Sequence, residues 1–415
     1  MASPPPPPAP SVSPPVPPYV IALADDLSGA AETARALGGP VRLSLAAPDV
    51  AEIAAAHDLV VDLNTRHLPP AEAANAVRTA LRAARTAPPR LLYKKVDSQL
   101  RGNLAAEAAV YAEGAQAVVI APTLPAARRT VTGGVVHVNG VPLHRTDGWR
   151  AERAAAPRSL PEALSGLPVC TVPLDVVRSE PAVLDAEFRR IAASGAHPAA
   201  DAETDADLDA VAAAALRLGP GFRLLGSGGL AAALGRALVR PATAATPAPS
   251  PAQDSDPLLF VVGTAEPGAV AQIAHLTALG AHHVPLDPAD LAAGTVSLPR
   301  TAVAPALTVF SIDGSAGLRP GAGRALSAAL AALAAAYPGR PDLVLTGGET
   351  ARTTLDALGI RELEPLGEIH HGAVHSRTPE GRRVVTRPGS YGAEDSLLRI
   401  AVALRPRLAA ATAAT

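Results

Sequence analysis

Residues 23–30 read "LADDLSGA", two adjacent carboxylates, Asp25 and Asp26, straight after the apolar run "YVIALA", with Ser28 and Gly29 next. No core needs two acids at the end of a buried strand, because an unpaired buried charge is costly. As acceptors they suit the hydroxyls of a polyol rather than an anion. A second cluster, "KKVDSQLRGN" at 94–103, packs Lys94, Lys95, Asp97, Ser98, Arg101, Gly102 and Asn103 into ten residues. Asp97 or Ser98 alone would read as a helix cap. So many donors together read as an anion site: arginine offers a two-donor fork, lysine a point charge, and small residues let the backbone approach. A third cluster, "APTLPAARRT" at 121–130, carries Arg129.

The later part of the chain offers glycine instead of charge. "LTGGET" (345–350) sets Gly347 and Gly348 between a strand-like and a helix-like run, ahead of Glu349 and Thr350. "VVGTAEPG" (261–268) contains Thr264, and "RPGSYG" (387–392) contains Gly389. Glycine permits positive φ and close approach, and a helix N-terminus presents free N–H groups to phosphate, so three such loops point to a nucleotide pocket. There is neither GxxxxGK[ST] nor GxGxxG, which excludes a P-loop and a dinucleotide fingerprint. The pairs His282–His283 and His370–His371 lack HExxH or paired-cysteine spacing and read as solvated loop histidines, leaving no metal-ligand set. Ser227 in "GSGGLAAALG" lacks the GxSxG spacing of a nucleophile elbow.

These clusters fall where apolar runs end. "YVIALA", "DLVVDL", "RLLYKKVD" and "AVVIAP" alternate with helical stretches such as "PAEAANAVRTALRAART". Almost wholly apolar strands alternating with helices predict parallel sheets covered on both faces. Ligands then bind outside the carboxyl ends of the strands. "VVHV", bounded by Gly-Gly and Asn-Gly, reads as a small hairpin or flap. Residues 1–18 form a proline-rich tail expected to be disordered. Residues 19–240 form one α/β domain, and 241–256, rich in Pro, Ala and Ser, a linker. Residues 257–415 form a second α/β domain. The expected fold class is therefore two α/β domains with mainly parallel sheets and a ligand cleft between them. No fixed-period repeat is present.

Composition excludes several functions. A net charge of -2 and 2% aromatics argue against nucleic-acid binding. No long uncharged apolar run suggests a membrane span, and the N-terminus lacks the charged and apolar regions of a signal peptide. The single cysteine, Cys170, permits no internal disulfide and sits in an apolar run as an expected buried, inert thiol. The expected compartment is cytoplasmic.

The order ADDLSG, K-x-DSQLRGN, PTLP…RTVTGG…VNGVPL, VVGTAEP, TGGETA, RPGSYG resembles the four-carbon acid sugar kinase family over about residues 19–405. The resemblance implies an N-terminal domain for the sugar acid and a C-terminal domain for ATP. The implied reaction is Mg²⁺-assisted, ATP-dependent phosphorylation of the terminal hydroxyl of threonate, erythronate or an oxo-tetronate. It implies Asp25, Asp26, Lys95, Asp97, Ser98, Arg101, Gly102, Asn103 and Arg129 on the acid side, and of these Asp26, Lys95 and Arg101 are the expected catalytic residues, to orient the hydroxyl and neutralise the moving charge. Thr264, Gly347, Gly348, Glu349, Thr350 and Gly389 fall on the nucleotide side. It leaves a homo-oligomer open. The departures are Ser28, Gln99, Arg128, Glu349 for the usual Asp, Glu266 for a hydroxyl, Arg387 for a lysine, and Tyr391 for a phenylalanine. Gln99, Glu266 and Arg387 keep a second reading alive, a catalytically impaired nucleotide- and sugar-acid-binding protein of the same fold. A ribokinase-like enzyme is disfavoured, since "GAGR" at 321–324 places Arg324 where a base would stand.

Overall fold

The computed structural model describes residues 20–45, 58–85, 89–149, 152, 154–238, 257–264, 267–296, 305–315, 323–389 and 392–408. The expected tail at 1–18 and linker at 241–256 lie outside the described residues, as do Glu266 and Tyr391. The strands are β1 (Val20–Ala24), β2 (Val41–Ser44), β3 (Asp58–Asp62), β4 (Leu91–Lys95), β5 (Ala117–Ala121), β6 (Arg129–Thr132), β7 (Val135–Val138), β8 (Val141–Pro142) and β9 (Val169–Val172). They continue as β10 (His197–Ala200), β11 (Phe222–Gly226), β12 (Leu258–Val262), β13 (His282–Leu286), β14 (Leu307–Ile312), β15 (Asp342–Thr346), β16 (Glu362–His370), β17 (Ala373–Arg377) and β18 (Arg383–Arg387).

The N-terminal lobe is a parallel sheet in the order β2-β3-β1-β4-β11-β5-β10-β9. Its strands are apolar on both faces because both are covered. Along β1, Val20, Ala22 and Ala24 join the core under helices Leu27–Leu37 and Gly228–Ala237, while Ile21 and Leu23 join that under Pro70–Ala84 and Leu104–Ala112. This period of two is what a strand's geometry requires. In the C-terminal lobe β13-β14-β12-β15-β18 are parallel, and β17 and β16 follow antiparallel.

The two sheets expected from the sequence are not separate. β16 pairs antiparallel with β2 at Glu362↔Ser44 and Leu363↔Leu43, giving one fifteen-stranded sheet among the described residues. The pairing leaves neither edge strand with unpaired backbone groups at the seam. The flap is a three-stranded sheet, β6-β7-β8, held down where Asp201 accepts from the N–H groups of Gly133 (2.6 Å) and Gly134 (2.8 Å). The neighbouring strands β1 and β4 are followed by helices on opposite faces of the sheet, which opens a crevice at their carboxyl ends.

Candidate active site

That crevice is one cavity of about 600 Å³ lined from both lobes. Asp26 ends the loop after β1 and caps helix Leu27–Leu37, its Oδ1 accepting from Gly29 N at 3.0 Å. Both acids of the opening motif are gripped by Arg66, from the loop after β3. Its Nε donates to Asp25 Oδ2 (2.9 Å), Nη1 to Asp26 Oδ2 (2.8 Å) and Nη2 to Asp26 Oδ1 (2.9 Å). Burial works against the Arg66 cation, yet Asp25, Asp26 and Asp97 raise its pKa well above the ordinary value. The two carboxylates are therefore not free acceptors awaiting a polyol, as the sequence alone suggests. They hold an arginine in the cavity wall.

The 94–103 cluster divides into three jobs. Lys94 turns away from the cavity, fully buried, its Nζ 2.6 Å from Glu107 Oε2. Lys95 points into the cavity: its Nζ lies 3.6 Å from Glu32 Oε2 and only 2.6 Å from where a Cβ on Gly29 would stand. A side chain at position 29 would displace it. Asp97 is chelated by Arg101, whose Nε (2.6 Å) and Nη2 (3.1 Å) both donate to it. Burial alone would raise the Asp97 carboxyl. The hydrogen bonds from Arg101 and the charges of Arg66, Arg101 and Lys95 hold it well below the usual carboxylate range. Ser98 Oγ accepts from Arg129 Nη1, which brings β6 over the cavity.

Asp25, Gly102 and Asn103, expected on the sugar-acid side, stand behind the cavity wall. Asn103 Nδ2 donates to the carbonyls of Thr65 and Leu68, both at 2.8 Å, pinning the loop that carries Arg66. Gly102 has φ +88°, and a Cβ there would meet Arg66 Cγ at 3.1 Å. The three residues position Arg66.

The C-terminal wall is built from the glycine loops. Gly347, at φ +97°, is the N-cap of helix Gly348–Ala357 with no side-chain cap bond. A Cβ on Gly389 would lie 3.7 Å from Gly347 Cα and 3.6 Å from Thr264 Cβ, so the three loops converge. Gly348 and Gly389 line the cavity; Thr264, Gly347, Glu349 and Thr350 do not. Thr350 Oγ1 is hydrogen-bonded to Ser327 Oγ (3.0 Å), and Glu349 pairs with Arg324 at 3.5 Å. A Cβ on Gly348 would sit 3.1 Å from Asp26 Oδ2 and 3.0 Å from Ser28 Oγ. The two lobes thus meet here, at one point of the cavity.

Among the lining residues the sequence passes over Arg66, and it offers Arg387 only as a departure from the family pattern. Arg66 sits in "LNTRHL", at the end of a predicted strand, and the rule that parallel strands place ligands at their carboxyl ends was a signal for it. Arg387 is almost wholly buried, donating Nη1 to Ser396 Oγ and Nη2 to Gly389 O (3.4 Å), and desolvation lowers its pKa to about 10. Of the four histidines expected in solvated loops, His371 alone sits in one, exposed in the turn after β16, and His282 is exposed but on a strand. His282 and His283 lie on β13, His370 ends β16 with Nε2 2.9 Å from Ser396 Oγ, and His371 lines the cavity. Cys170, expected buried, is only partly so. Ser227 caps helix Gly228–Ala237 and its Oγ donates to Thr123 O at 2.6 Å, as befits a structural residue.

One cavity thus has acids and cations paired on one wall and glycine loops on the other, and known proteins offer a comparison. Residues 20–234 match the family described as "Sugar-binding N-terminal domain", and 259–397 match "Nucleotide-binding C-terminal domain". A D-threonate kinase of Cupriavidus necator is 37% identical over 402 residues, covering 90% of this chain and 95% of that protein. A D-threonate kinase of Bordetella bronchiseptica is 33% identical, covering 94% and 98%. A solved Salmonella typhimurium protein, 20% identical, superposes with a TM-score of 0.73 over 92% of this chain and 98% of that one, a likeness of fold. The chain belongs to the four-carbon acid sugar kinase family. Among the described residues no helix is long and apolar enough to cross a membrane.

Proposed function

We propose that this protein transfers the terminal phosphoryl group of ATP to the terminal hydroxyl of a four-carbon sugar acid, threonate, erythronate or an oxo-tetronate. The observation that carries this is the meeting of Asp26 with Gly348 across one cavity, 3.1 Å from carboxylate oxygen to the absent Cβ. Side chains that grip acids and hydroxyls lie on one side of that point, and uncapped helix N–H groups lie on the other.

Phosphoryl transfer is chiefly positioning and charge neutralisation. Arg101 spends Nε and one N–H of Nη2 on Asp97, and its Nη1 donates to the substrate carboxylate. Arg66 exchanges part of its grip on Asp26 for the incoming acid. That frees an Asp26 oxygen to accept a hydrogen bond from the attacking hydroxyl and to take its proton late in the reaction. Lys95, fixed over Gly29, offsets the charge moving between the lobes. The phosphates lie against the free N–H groups at the start of helix Gly348–Ala357. No group of three or more His, Cys, Asp or Glu side chains that could cage a metal exists among the described residues. This donor set fits Mg²⁺, which keeps waters and binds through substrate phosphates with one or two carboxylates. When bound, Mg²⁺ would neutralise phosphate charge, with Asp26, which faces Gly348 across the cavity, a carboxylate that could hold it. A closed cavity also withholds water, the competing acceptor.

The test is ADP release with Mg²⁺–ATP over both stereoisomers of threonate and erythronate and their oxo analogues, with mass spectrometry of the product. One acid giving ADP and a phosphorylated acid in equal amounts is expected. Ligand-induced melting shifts with no ADP from any acid would instead establish the non-catalytic binder.

A further inference from the structure

We propose that a second cavity, at the opposite end of the N-terminal sheet, binds a small phosphorylated anion. The cavity is about 410 Å³. It lies at the amino ends of the strands, beside Leu92 of β4 and Arg223 of β11, whereas the cleft lies at their carboxyl ends. Its charged lining is Arg78, Arg82, Arg85, Arg223 and a single acid, Glu113. Arg78, Arg82 and Arg85 follow at spacings of four and three along helix Pro70–Ala84 and its C-cap, so they share one face.

This charge is not balanced from within. Arg78 pairs with Glu113 at 3.3 Å. Arg223 donates to the Tyr111 carbonyl and lies over the Tyr111 ring at 5.6 Å, both uncharged partners. Arg82 and Arg85 have no side-chain partner among the described residues. A helix C-terminus favours cations, which accounts for Arg82 and Arg85 taken singly. It does not account for a further arginine arriving from β11, partly desolvated, where Arg85 adds to the burial that lowers its pKa. Like charges four apart on a helix destabilise it, and an anion between them reverses the sign. The whole chain carries a net charge of -2, so the local excess does not reflect a basic protein.

The shape selects the class of ligand. A cavity of this size takes a small molecule. Arginine forks match phosphate oxygens two at a time. Leu92 and Val110 supply an apolar side for a short carbon frame. A sugar-acid phosphate and a nucleotide diphosphate share this chemistry. A polymer would need the charge spread across an open surface.

Inorganic pyrophosphate, titrated calorimetrically into the full chain, separates this site from the cleft. In the Gly348→Val protein, whose cleft is obstructed, one pyrophosphate site should remain. Adding Arg82→Gln and Arg85→Gln should weaken it by about a hundredfold or more, from the loss of two charge-assisted contacts. Both arginines are exposed, so the Arg82→Gln/Arg85→Gln protein should melt and turn over as the parent does. Binding to Gly348→Val that is unchanged by the two arginine substitutions, or no binding to Gly348→Val, would overturn the proposal. Competition of ADP and of sugar-acid phosphates for the remaining site distinguishes the two ligand sources.

Discussion

Replacing Arg352 by methionine should loosen the join between the lobes in a way that depends on pH. Arg352 rises from helix Gly348–Ala357, donates Nη1 to Asp62 Oδ2 (2.8 Å) and to Asp62 O (3.1 Å), and donates Nη2 to Leu45 O (2.7 Å). Asp62, the last residue of β3, has a fully buried side chain. Its burial outweighs the attraction of Arg352 and the hydrogen bonds it accepts, and the charge of Asp26 adds a little, so its pKa rises from 3.8 to about 6. Arg352 is raised too, as pairing demands. Between pH 4 and 6 the native state holds more protons at Asp62 than the unfolded chain, so stability falls as pH rises through that window. The shift corresponds to on the order of 3 kcal/mol. Above pH 6 the carboxylate is ionised and tolerable only beside Arg352. Arg352→Met then strands a buried charge and should cost about 3–5 kcal/mol at pH 7.5. For a lobe of this size that lowers Tm by roughly 6–20 °C. At pH 5 the carboxyl is already protonated, and the loss should shrink to that of neutral hydrogen bonds, about 1–2 kcal/mol. Asp62→Asn removes the fully buried charge and leaves Arg352 paired with Asp356 at 3.0 Å, so it should cost clearly less than Arg352→Met at pH 7.5. The measurement is thermal and urea unfolding of the three proteins at both pH values. An Arg352→Met loss of equal size at pH 5 and 7.5 would refute the reasoning, as would an Asp62→Asn protein as unstable as Arg352→Met.

Gly348→Val places a branched side chain against Asp26 and Ser28; the chain should fold, by circular dichroism, while kcat/KM falls at least about a hundredfold. Asp26→Asn keeps the helix cap, since Asn caps as well as Asp, and should cost on the order of 1–2 kcal/mol of stability. Its turnover should fall by about 10²–10⁴, and activity retained in the folded variant would remove Asp26 from the mechanism. Asn103→Ala loses two hydrogen bonds to the loop carrying Arg66, about 2 kcal/mol, and should raise KM for the acid while leaving KM for ATP unchanged. Equal rises in both constants would deny Asn103 its link to Arg66.

The central parallel strands of both lobes, β1, β3 and β5 in one and β12 and β15 in the other, were legible because burial on both faces leaves a nearly continuous apolar run, and all five are buried throughout. β10 was not, for a local reason. It reads "HPAA", and proline cannot donate to a ladder. Its His197 side chain helps instead, Nδ1 accepting from Val118 N at 3.0 Å, and only Ala199↔Ile120 remains in register with β5. Such a strand is made by its neighbours, and no propensity within four residues announces it.

The site divides along the same line. Residue types and local order pointed to Asp26, Lys95, Asp97, Ser98, Arg101 and Gly348, all of which line the cavity. What they hold on to was hidden, because it comes from far along the chain: Arg66 reaches Asp26 across 40 positions and Arg352 reaches Asp62 across 290. The function of Asp25, Gly102 and Asn103 follows from the first of these. Read as ligand contacts they make a crowded pocket; read as the mounting of one arginine they explain why a positive φ, an amide and a second carboxylate all stand behind the wall. The β2–β16 seam has the same logic at larger scale. Two edge strands that would each expose unpaired backbone instead pair with one another, and Arg42 reinforces the joint by pairing with Glu362 at 2.6 Å. A cleft whose two walls belong to one sheet keeps Gly348 facing Asp26 before any ligand arrives, so under the proposed mechanism substrate binding energy would not be needed to bring them together and would remain available to displace Arg66 from Asp26.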